Sequence, residues 1–160
     1  MEKERLQEYA ARVSQANRSE LVVIIYETVL ASIEEGKKCL TDNEVETARK
    51  EIARARDLIT ELMGSLDMQY SISHYLRQLY IYAYQELCQG IANRDPGQFD
   101  HASHIFERLL PSFQEVAKQD DSEAVMQNAQ TIYAGLTYGR GTLNETLGTA
   151  VDVKKRGFEA

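Results

Sequence analysis

Residues 71–93 read SISHYLRQLYIYAYQELCQGIAN, and this stretch decides the fold. Ile72, Leu76, Leu79, Ala83, Leu87 and Gly90 recur at helical spacing and predict a core stripe. A second stripe lies beside it, rotated by roughly a third of a turn: Tyr80, Tyr84, Cys88 and Ile91, with Ile81 at its edge. Tyr75 and Tyr82 widen the other flank, so His74, Gln78, Gln85 and Gln89 keep only a narrow polar strip. A helix apolar on most sides is either central in a bundle or carries a groove for a partner. The stretch leaves both readings open.

Upstream, Ala48, Ile52, Ala55, Ile59, Leu62, Met63 and Leu66 line one side of a second helix, with Lys50, Arg54, Arg56 and Glu61 mostly away from it. Thr41-Asp42-Asn43 separates it from a helix over 18–40, whose inner face reads Leu21, Ile24, Ile25, Thr28, Val29 and Ile33. Asn17 with Glu20 three residues on is a capping-box pattern for its start. Before it, Leu6, Tyr9 and Val13 make a narrow apolar stripe, so residues 1–16 are expected to form a mobile N-terminal segment.

Downstream, Asp95 caps and Pro96 opens a helix carrying Phe99, Ala102, Ile105, Phe106, Leu109, Leu110 and Phe113. Pro111 inside it predicts a kink. Val125, Ala129, Ile132, Tyr133 and Leu136 predict a further C-terminal helix, followed by a flexible tail over 148–160. Long helices on short links predict an all-α, antiparallel up-down four-helix bundle with an additional C-terminal helix, residues 1–147 forming one domain.

With 160 residues, a formal net charge of −7 and a pI near 5.0, the chain is ill suited to phosphate backbones, so no nucleic acid is expected as partner. No apolar run reaches the roughly 20 residues of a membrane span, and the N-terminus lacks an apolar signal core. A cytoplasmic location is expected, with Cys39 and Cys88 as reduced thiols.

The residues offer no catalytic set. There is no Glu-x-x-His pair of the kind a di-metal bundle uses. His101 and His104 share a face but have no Cys or further His near them in sequence. His74 with Arg77 one turn on is the single pairing that suits a phosphotransfer histidine, and surface helices offer such pairs by chance. Neither a phosphate-binding glycine loop nor a Gly-x-Ser-x-Gly elbow occurs. No cofactor and no metal are expected. What remains is apolar surface in excess of one core, which suits a module that binds a helix or an extended segment.

The order of these pieces resembles the FliS family of flagellar secretion chaperones, over roughly Tyr9 to Phe113. The family's Val-x-x-Ala-Ser-Pro-x-x-Leu motif is matched from Val13 to Leu21, with Asn17 and Arg18 in place of Ser-Pro. Ile25-Tyr26-Glu27-Thr28 stands for its Leu-Tyr-Asp-Gly, Ser65-Leu66-Asp67 for its Ser-Leu-Asp, and Leu79-Tyr80-Ile81-Tyr82 for its Leu-Tyr-x-Tyr. Leu87 and Asp95 also fall in place, and Phe113 lies where the family usually has Trp. Departures are the missing Gly-Gly-Glu before the third helix, where Gln69-Tyr70-Ser71 stands instead, the missing Met-Tyr start, Pro111, and a longer segment after Phe113.

The resemblance implies a non-enzymatic export chaperone that binds the disordered C-terminal segment of flagellin, prevents its premature polymerisation and assists its delivery. Contact with the export machinery is a further expectation. The partner-binding residues expected are Tyr9, Val13, Tyr80, Ile81, Tyr84, Cys88 and Ile91. The resemblance lets Leu6, Tyr9 and Val13 act as a removable cover over the client surface. The C-terminal stripe from Val125 to Leu136 is a second candidate for occupying the groove when no client is bound. The alternative function is a helical adaptor for another partner helix. Monomer and weak homodimer both stay open.

Overall fold

In the structure, a computed structural model, residues 2–125 are described. They form five helices: α1 (Glu2–Gln15), α2 (Arg18–Thr41), α3 (Val45–Gly64), α4 (Ser71–Asn93) and α5 (Pro96–Gln119). No strand occurs among the described residues. The expected C-terminal helix beyond Val125, the boundary at 147 and the tail over 148–160 lie outside them. The described residues divide into two units, Arg18–Asp121 and a second that holds 2–17 with 122–125.

The unit Arg18–Asp121 is a four-helix bundle. Links of three, six and two residues join α2 to α3, α3 to α4 and α4 to α5, so consecutive helices run side by side in opposite directions. α5 returns to pack on α2 and closes the ring, while α3 and α4 are the least closely applied pair. At the first link Asn43 takes φ 65°, a left-handed conformation that Asn tolerates, and the Glu44 N–H returns to the Cys39 carbonyl (2.7 Å). At the last, Arg94 takes φ 53° and the Asp95 N–H bonds the Gly90 carbonyl (2.9 Å). Asp95 then caps α5 as expected: its Oδ1 accepts from the Gly97 N–H at 2.9 Å, with Pro96 in the first turn.

The core draws Tyr26, Val29 and Ile33 from α2, and Ile52, Ala55, Ile59 and Leu62 from α3. It draws Leu76, Tyr80, Ala83 and Leu87 from α4, and Phe99, Ala102 and Phe106 from α5. Two glycines set how closely helices approach. A Cβ on Gly36 would lie 2.7 Å from Ile52 Cδ1, and one on Gly90 would lie 2.6 Å from Phe99 Cε1. Phe99 therefore seats in the space that a side chain at position 90 would fill.

Two sequence expectations are corrected. On α2 the buried stripe includes Tyr26, whereas Leu21, Ile25 and Thr28 are only half-buried. On α4 the core stripe is Ser73, Leu76, Tyr80, Ala83, Leu87 and Gly90, so Tyr80 moves from the second stripe into the core and Ile72 moves out, 61% exposed. On α5, Pro111 lies within the helix, which runs on to Gln119. Pro111 and Glu107, whose carbonyl loses its partner to the proline, are both exposed. Water can satisfy that carbonyl, while Leu109, Leu110 and Phe113 hold this part of the helix on the core.

In the second unit, the Ala16 carbonyl accepts from the Val125 N–H at 3.0 Å. Leu6 is exposed, and Tyr9 and Val13 are half-buried.

Candidate partner-binding site

α4 presents three apolar faces. The innermost meets α2 and α5 through an aromatic cluster. Tyr26 lies edge-on to Phe106 (centroids 5.1 Å apart) and to Tyr80 (6.3 Å), Tyr80 stacks on Phe106 at 5.9 Å, and Tyr26 meets Phe113 at 5.1 Å. The Tyr26 and Tyr80 hydroxyls share a hydrogen bond of 2.5 Å inside the core. Burial pushes both phenols up from their ordinary range, Tyr26 far up, where the neighbouring Tyr80 adds to the effect; on Tyr80 the hydrogen bond with Tyr26 works against it.

The flank towards α3 carries Tyr84, Cys88 and Ile91, all half-buried, with Ile81 half-buried beside them. Tyr84 and Ile91 rest their inner sides on the core. Arg56 of α3 lies across this stripe. Its guanidinium sits 5.7 Å from the Tyr84 ring centroid, and its Nη1 donates to Cys88 Sγ at 3.2 Å. That bond to Cys88 is the main reason the Arg56 pKa is raised further. Arg56 Nε is buried without a hydrogen-bond partner, so the seam contains a donor that an approaching carbonyl or carboxylate could satisfy.

At the end of the bundle where α3 passes into α4, a cleft of about 380 Å³ opens. Val22, Leu62, Leu66, Leu76, Tyr80 and Phe113 give it apolar walls, and Arg18, Ser65, Asp67 and Tyr70 stand around them. Tyr80 thus belongs to the core and to the cleft lining at once. Tyr84, one turn further along α4, begins the half-buried stripe. Ser19 Oγ donating to Asp120 Oδ2 (2.6 Å) ties the start of α2 to the end of α5.

Of the expected site residues, Tyr80, Ile81, Tyr84, Cys88 and Ile91 are on one helix of the bundle. Tyr9 and Val13 belong to α1, in the other unit. Arg56 was expected to point away from the buried side. It stands four residues after Ile52 and three before Ile59, both core positions, and that spacing puts its stem at the edge of the stripe. Arg18, Asp67 and Tyr70 at the cleft carry no signal in sequence beyond their place at helix ends and in a link.

The arrangement has surfaces to bind with and no reacting group. Among the described residues no three His, Cys, Asp or Glu side chains are grouped to hold a metal. His101 Nδ1 is taken up by Glu86 Oε1 at 2.6 Å, and the His74 ring by the Met68 carbonyl at 3.2 Å. No helix among the described residues is long and apolar enough to cross a membrane. In comparison with known families, residues 1–120 match the family model described as "Flagellar protein FliS". No curated protein matches the chain.

Proposed function

This chain belongs to the FliS family of flagellar proteins, and on that premise we propose that it binds the disordered C-terminal segment of flagellin in the cytoplasm and keeps it unpolymerised until export. The family is one of chaperones and not of enzymes, and the chain is a flagellar export chaperone by that membership. The client, its site and any contact with the export machinery are our reading.

The observation that supports the reading is apolar surface left over along the most open seam of the bundle. Tyr84, Cys88 and Ile91 continue from the cleft that Tyr80 lines, beside the least closely applied helix pair. A flagellin tail that later forms a filament core carries an apolar face, and covering that face blocks self-association. The tail folds as it binds. Ordering it costs roughly 2–5 kcal/mol, which keeps net affinity moderate for the area covered and allows release. Ile81, Tyr84, Cys88 and Ile91 form the contact along α4; Tyr9 and Val13 of α1 are proposed as client contacts of their own unit.

The test is fluorescence anisotropy with a labelled peptide of the flagellin C-terminal segment. Tyr84→Ser combined with Ile91→Ser should weaken binding about tenfold or more, since truncated apolar anchors typically cost over 1 kcal/mol each. Circular dichroism would establish that the variant stays folded. Undiminished binding by a folded double variant would remove this stripe from the site. No binding by the wild-type chain would move the assignment to an adaptor for some other helix.

A further inference from the structure

Arg56 lies in the middle of the α3–α4 seam, and its partners there suit it poorly. Its Nη1 donates to Cys88 Sγ at 3.2 Å, and a thiol is a weak acceptor for a charged donor. Its guanidinium stands 5.7 Å from the Tyr84 ring centroid. Its Nε is buried with no hydrogen-bond partner. In a guanidinium, Nε and a terminal nitrogen form a fork that holds a carboxylate by two parallel bonds. That fork is incomplete here, and a buried donor without a bond is unfavourable. The side chain as a whole is half-buried, so a turn at the end of its stem brings the fork to the surface without moving the core.

The charges around it favour one kind of occupant. Arg49, one heptad before Arg56 on α3, is exposed, with Glu46 3.8 Å away as its pair. On α4, Arg77 is exposed and stands four residues before Ile81 and seven before Tyr84, the spacing of one helix face. Residues 68–85 contain no Asp or Glu, and Glu86 is taken up by His101 of α5 at 2.6 Å. Asp57 is exposed and turned about 100° round α3 from Arg56. The seam is therefore a cationic strip on a chain of net charge −7, which attracts an acidic segment and repels a basic one.

We propose that Arg56 is the specificity-determining residue of this seam, gripping an Asp or Glu carboxylate that the bound segment carries between its apolar anchors. This rests on the flagellin reading and adds the chemistry that the tail must bring. Tyr84 and Ile91 are seven residues apart, about two turns of helix. Arg56 reaches α4 at Tyr84 and Cys88, between those two ends. A client helix laid along the stripe places its carboxylate between two apolar side chains about two turns apart. Charge-assisted bonds then replace a weak N–H···S bond and an unpaired donor, and the anchors on either side keep water from the pair. A tail with an amide or a Lys at that place leaves the guanidinium covered and unpaired, which discriminates against it.

The experiment is fluorescence anisotropy with the labelled flagellin C-terminal peptide and a set of peptides in which each Asp is changed to Asn or each Glu to Gln, one at a time. Both are titrated with the wild type, Arg56→Gln and Arg56→Lys, and thermal melts establish folding. The wild type should bind one of the amide peptides about tenfold or more weaker than the natural one. Arg56→Gln should bind the natural peptide about tenfold or more weaker and should no longer distinguish it from that amide peptide. Arg56→Lys should recover only part of the loss, because an ammonium has no fork. A wild type that binds every amide peptide as well as the natural one overturns the proposal. So does a folded Arg56→Gln variant that binds at full strength or keeps the same discrimination. If Arg56→Gln does not fold, the amide peptides on the wild type decide alone. Binding that Tyr84→Ser with Ile91→Ser weakens, but that neither the amides nor Arg56→Gln move, keeps the flagellin reading and removes Arg56 from it. No binding by the wild type overturns both.

Discussion

Tyr26 and Tyr80 are the most constrained pair of side chains in the bundle. Each phenol is buried, 0% and 1% exposed, and each hydroxyl has the other as its partner at 2.5 Å. Removing one leaves the other buried without a bond, at a cost of about 1–3 kcal/mol, while removing both is milder than the sum. Urea denaturation should therefore show Tyr26→Phe and Tyr80→Phe each destabilising by that amount and the double variant falling well short of additivity. The same burial fixes an alkaline limit. Both phenols hold their protons in the folded state above the ordinary value near 10, so the unfolded chain loses protons first as pH rises. Their stabilisation is complete below about pH 10 and is lost as pH climbs through the raised values. A denaturation series from pH 8 upwards should show stability falling above about pH 10, and falling less in the double Phe variant. Tyr26 was not singled out as a core residue by helical period. It closes the run Leu21-Val22-Val23-Ile24-Ile25-Tyr26, apolar on all sides, in which period alone cannot choose an inner face. The choice is made by Tyr80 and Phe106 across the core.

Among the elements, helix positions and links were legible because caps and turn residues announce them: Asn17 stands immediately before α2, and Asp95-Pro96 opens α5. What was not legible is the rotation of α4. Two rows of heptad spacing run along it, offset by one residue, one through Ser73, Leu76, Tyr80, Ala83, Leu87 and Gly90 and the other through Ile72, Tyr75, Leu79 and Tyr82. The row holding Ser73, Ala83 and Gly90 faces inward because small residues let helices approach; Phe99 fills the space at Gly90. Hydrophobicity alone does not choose between the rows, since Ile72, Tyr75, Leu79 and Tyr82 are all large and apolar while the inward row includes Ser73, Ala83 and Gly90. α5 yields a test of its own. Pro111 removes one helical hydrogen bond at an exposed position without stopping the helix. Pro111→Ala should raise the stability of the bundle by about 1 kcal/mol or more, read as an increased urea midpoint. A lowered midpoint would mean that the proline ring is itself a packing element.

For the molecule as a whole, the bundle leaves apolar surface on both flanks of α4, and in this account the flank towards α3 serves flagellin. The general surplus of apolar surface on α4 was legible in sequence, because Tyr75, Tyr80, Tyr82, Tyr84 and Ile91 cannot all be inside one helix face. Which of them the bundle would take was not, since that depended on Arg56 covering one side and Tyr26 claiming Tyr80. The claim that carries the account is that the α3–α4 flank folds a disordered flagellin tail upon itself. Titration calorimetry of the full chain with a peptide of the flagellin C-terminal segment, repeated at several temperatures, tests it most directly. The account predicts one peptide per chain and a large negative heat-capacity change from apolar burial coupled to folding. Absence of binding, or binding whose enthalpy does not change with temperature, would contradict it.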